Sequence, residues 1–86
     1  MQIRYLNSRL LGKSYTMLVN FNYQQNEIVL APLDDKSNEY FEQYLPEFRA
    51  CLKPYLGKNL NEIIMEEIML VLRTTLNNLE AANGNY

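Results

Sequence analysis

The chain has 86 residues, of which 48% are hydrophobic and 21% charged, and its formal net charge is −2. That length holds one domain and not two; the composition excludes intrinsic disorder, and the charge offers no global attraction to nucleic acid or to a membrane surface. A single cysteine, Cys51, rules out an intramolecular disulfide and suits a reducing compartment, and the absence of histidine removes the usual general base near neutral pH.

The first third reads as strands. Gln2 to Leu11 is rich in Ile, Tyr and Leu, and Gly12-Lys13-Ser14 follows as a hairpin connection. Tyr15, Met17, Val19, Phe21 and Tyr23 then alternate with Thr16, Leu18, Asn20 and Asn22, the strongest period-of-two signal in the chain. Polar Gln24-Gln25-Asn26 leads to a short apolar run, 27–31, which Pro32 stops. The expectation is a three-stranded antiparallel meander over about 2–11, 15–23 and 27–31.

The remainder reads as helix. Ser37 is placed to cap a segment in which Phe41, Leu45, Phe48, Leu52 and Tyr55 recur at helical spacing over about 38–56. Pro46 breaks that pattern, either by kinking one helix or by starting a second. Asn59, with Glu62 three positions on, opens a last helix over about 60–82. The fold class is therefore α+β: a three-stranded meander followed by two or three helices packed on one face, as one domain over 1–86.

The last helix carries more apolar circumference than a helix on a sheet needs. Ile64, Ile68, Val71 and Leu79 form one stripe, and Met65, Met69, Leu72 and Leu76 form a second beside it. Ile63 and Leu70 extend the arc, with Glu62, Glu66, Arg73, Asn77 and Glu80 on the polar face. The Met65–Met69–Leu72–Leu76 stripe is the candidate protein interface and the candidate homodimer contact, because thioethers adapt to irregular surfaces. The competing account is that both stripes are core. Glu67, at the edge of the arc, reads as a solvated carboxylate.

No motif recommends catalysis. One cysteine and no histidine cannot make a zinc site or a nucleophile–histidine pair, and the carboxylates lack the histidines of a di-iron bundle. Gly12-Lys13-Ser14 matches the end of a P-loop, but the glycine required five positions earlier is Asn7, and a strand follows where a helix should. The expectation is a non-enzyme without cofactor or metal.

Charge is unevenly distributed. Residues 1–26 hold Arg4, Arg9 and Lys13 and no acid, so a basic hairpin with Tyr15 is the candidate contact for nucleic acid or another anionic partner. Glu39 and Glu42, with Tyr40 and Tyr44, make an acidic, aromatic face suited to a protein partner. The functional expectation is a non-catalytic protein-interaction module that inhibits or adapts a larger protein or nucleoprotein complex; the alternative is a small nucleic-acid-binding regulator. No apolar run is long enough to span a bilayer, so the cytoplasm is the default compartment. The Asn and Tyr bias hints at an AT-rich bacterial or phage genome.

Overall fold

The computed structural model describes residues 2–84. Three antiparallel strands, β1 (Gln2–Leu10), β2 (Lys13–Asn22) and β3 (Glu27–Pro32), form an open sheet in the order β1-β2-β3. Helices α1 (Asp35–Glu42), α2 (Leu45–Leu52) and α3 (Glu62–Ala82) follow, with a 3-10 turn at Lys53–Tyr55. This is the expected α+β architecture, with its boundaries refined.

The alternation in β2 is real. Met17, Val19 and Phe21 are fully buried and meet Leu6 of β1 and Ile28 and Leu30 of β3 on the helix side of the sheet. Tyr23 is the exception: β2 ends at Asn22, and Tyr23 is exposed in the turn. The hairpin is also tighter than the three-residue connection expected. Leu10 pairs with Lys13, leaving Leu11 and Gly12 as a two-residue turn at φ of 52° and 77°, the positive pair that matches strand twist.

The caps shift as well. Asp34, not Ser37, caps α1: its Oδ1 accepts from Ser37 N–H at 3.0 Å. Hydrogen bonding from the Ser37 hydroxyl, and then from its backbone N–H, holds the Asp34 carboxyl below the usual aspartate range. The Ser37 hydroxyl also accepts from Thr16 N–H at 2.9 Å, fastening α1 to the sheet. Asn61 rather than Asn59 caps α3, accepting from Ile64 N–H at 2.9 Å. Asn59 receives a bond from Asn26, which ties the β2–β3 loop to the α3 entry. Pro46 starts a second helix, since its missing N–H costs nothing in a first turn.

One core joins sheet and helices: Leu6, Met17, Val19 and Phe21 below, and Phe41, Phe48, Leu52, Met65, Ile68, Leu72 and Leu76 above. The buried row of α3 is thus Met65, Ile68, Leu72 and Leu76, drawn from both expected stripes. This corrects the reading of the methionine stripe as a surface. Met65, Leu72 and Leu76 are enclosed by the chain's own sheet and helices, and Met69 is half-buried. Two connected helices, α1 and α2, supply the cover that a thin sheet alone does not. The uncovered part of the α3 arc is Ile63 and Leu70, at 80% and 66% exposure.

Candidate functional site: an open strand edge beside an apolar groove

Which backbone groups a strand leaves free follows from the turn that starts the ladder. In a two-residue turn the flanking residues are a hydrogen-bonded pair, so Leu10 and Lys13 exchange bonds and the pattern alternates from there. Leu6, Ser8 and Leu10 then bond β2, while Ile3, Tyr5, Asn7 and Arg9 turn their N–H and C=O groups away from the sheet. Even-numbered residues of β2 bond β3, and Leu33 N–H donates to Thr16 O at 2.9 Å as this requires. On β3, Glu27, Val29 and Ala31 bond inward, and Ile28 and Leu30 present N–H and C=O at the open edge, with the Pro32 carbonyl beyond them.

The two edges differ. On the β1 side, the outward Asn7 carbonyl accepts from Arg73 Nη2 of α3 at 2.7 Å, so a long cationic side chain lies against that edge. On the β3 side, no side chain among the described residues bonds to the Ile28 or Leu30 backbone groups. A groove of about 680 Å³ runs there instead, between β3 and α2. Ile28, Leu30 and Pro32 form one wall, and Leu45, Leu52 and Leu56 the other. Arg49 and Lys53 stand on the helical wall and Glu27 lines the groove at the start of β3. Arg49 and Lys53 are exposed and have no hydrogen-bond or ion-pair partner among the described residues.

The outer face of the sheet continues this region. Tyr5, Leu18 and Ala31 lie side by side across the three strands, and Ile3, Asn20 and Val29 form the next row. Ile3, Tyr5 and Val29 are exposed.

Tyr40 and Tyr44, expected at an acidic protein-facing surface, are core residues at 9% and 2% exposure; Glu39 and Glu42 beside them are exposed. Aromatic residues at helical spacing face inward because the sheet offers them apolar cover. Tyr40 stacks on Tyr15 with ring centroids 4.3 Å apart and planes 5° from parallel. Its hydroxyl and that of Ser8 both donate to Glu80, so the buried carboxylate holds β1, α1 and α3 together. Burial, and then the bond to Glu80, push the Tyr40 phenol far above the usual tyrosine value. Glu80, read as part of the polar face, is the site residue that sequence reasoning missed. The signal was present: Leu72, Leu76 and Glu80 are spaced four apart on one helical row.

The basic hairpin is dispersed. Arg9 lies on the outer face, whereas Arg4 and Lys13 lie on the helix side. Arg4 bonds Gln2 Oε1 at 3.1 and 3.2 Å. Arg4 pairs with Val19, six positions along β2 from Lys13, so the two are on the order of 20 Å apart. Tyr15 has one ring face covered by Tyr40. Lys13 and Tyr15 instead meet Lys36, Glu39 and Tyr40 around a smaller cleft of about 440 Å³. Glu67 is exposed, as expected of a carboxylate at the edge of the arc, and it also accepts from the Tyr55 hydroxyl at 3.0 Å. Burial and this bond raise the Tyr55 phenol as well.

Among the described residues no helix is long and apolar enough to cross a membrane. Compared with protein-family models, with curated proteins and with solved structures, the chain gives no significant match to any of them.

Proposed function

We propose that the protein is a non-catalytic protein-interaction module, of the adaptor or inhibitor kind, which takes up an extended segment of a partner by strand addition to β3. The observation that carries this reading is the pairing of two features on one side of the sheet. The outward N–H and C=O groups of Ile28 and Leu30 are without partners among the described residues, and the apolar groove beside them can receive alternate side chains of an added strand. Glu80, the one buried carboxylate among the described residues, is committed to two hydroxyls of the core and supports a structural role rather than a chemical one.

The test uses proline as an edge block. Leu30→Pro removes an outward N–H and takes no bond from β2, so the sheet should survive while strand addition should not. Affinity capture from nuclease-treated lysate of the native host should retain a protein with the wild-type chain and lose it with Leu30→Pro. Cooperative thermal unfolding of the variant confirms that it is folded, and Ile28→Pro provides a second block at the same edge. Capture that is unchanged in both folded variants rejects the edge. Capture that disappears on nuclease treatment of the wild type favours the nucleic-acid alternative.

A further inference from the structure

Resting on the strand-addition reading, we propose that the segment bound at β3 is acidic: a strand of about five or six residues whose groove-side positions carry carboxylates aimed at Arg49 and Lys53 beside an apolar residue. Its length follows from the edge. Ile28 and Leu30 each offer a donor and an acceptor, Pro32 offers an acceptor only, and the missing proline N–H ends the ladder there.

Its charge follows from the opposite wall. Arg49 and Lys53 are four positions apart, one helical turn, and both line the groove without partners among the described residues. The acid in the groove, Glu27, belongs to β3, and odd-numbered β3 residues direct their side chains to the outer face of the sheet. The helical wall is therefore cationic above an apolar floor. An added strand places alternate side chains over that floor, close to both cations. A neutral strand leaves the two cations unpaired in a narrowed groove, and a basic strand adds like-charge repulsion.

The test measures binding of three synthetic octapeptides of alternating valine and threonine to the full chain. Two valines near the centre, two positions apart and so on one face of the strand, are both replaced by glutamate, both by glutamine or both by lysine. Fluorescence anisotropy at low salt should give the glutamate peptide at least about ten-fold tighter binding than the glutamine peptide, with the lysine peptide weakest. That preference should shrink at high salt and in the Arg49→Gln/Lys53→Gln double variant, while the glutamine peptide binds the variant as it binds wild type. Amide exchange at Ile28 and Leu30 should slow when peptide is bound. Equal binding of the glutamate and glutamine peptides, with those amides protected, overturns the charge preference and leaves strand addition standing. Absence of binding by all three at millimolar concentration overturns strand addition itself. A chain that is already dimeric without peptide, with the same amides protected, overturns the proposal in favour of a second copy as the occupant.

Discussion

Leu11 sits in the β1–β2 turn at φ of 52°, a left-handed conformation that a branched apolar side chain adopts at a cost, and it is almost fully exposed, so no packing offsets that cost. Leu11→Asn should therefore stabilise the protein by about 0.5–1 kcal/mol, because asparagine tolerates this region. A higher midpoint of urea unfolding with an unchanged slope is the expected result; an unchanged or lower midpoint contradicts the account of the turn. The same residue explains a misplaced boundary. Gly12 announces a turn, but a leucine in the preceding position does not, so the strand reads one residue too long at Leu11. At α1, both Asp34 and Ser37 are cap-forming residue types. The choice between them depends on Thr16 N–H, which occupies the Ser37 hydroxyl and lies on another element.

At the scale of an element, α3 shows where periodicity informs and where it stops. The apolar residues of the helix were legible as a wide arc, but the arc does not say which row is buried. That depends on where α2 and β1 lie, which follows from topology. The rows predict opposite mutational outcomes. Met65→Ala opens a cavity in a fully buried site and should cost about 2–4 kcal/mol in chemical denaturation. Ile63→Ala, at an exposed site two turns from Leu70, should fall within about 0.5 kcal/mol of wild type. A small loss at Met65, or a large one at Ile63, reverses the assignment of the buried row. β2 was legible because one of its faces is buried from Met17 to Phe21 and the side-chain period of two has no alternative there. The open edge of β3 was not legible. It is a property of backbone groups, and their direction is set by the register that the Leu11–Gly12 turn imposes.

Across the whole molecule, the Ser8–Tyr40–Glu80 cluster links the first strand, the first helix and the last helix, so its chemistry governs global stability. The folded chain holds the Tyr40 proton more tightly than the unfolded chain, whose phenol ionises near pH 10. The stabilisation is fully present below that pH and is lost as pH rises beyond it. Tyr55 shifts in the same direction. Stability should thus decline above pH 10 in wild type and less steeply in Tyr40→Phe. That variant starts lower at neutral pH, by about 1–3 kcal/mol, because Glu80 loses one of its two donors. Parallel alkaline profiles for the two proteins would remove Tyr40 from this role.

The Arg73 side chain at Asn7 has a consequence for valency. Two open edges of opposite position on one small sheet would let molecules join end to end into fibres without limit. A guanidinium seated on one of them means that an incoming chain must first displace a charged group held at 2.7 Å. Growth from that side is discouraged.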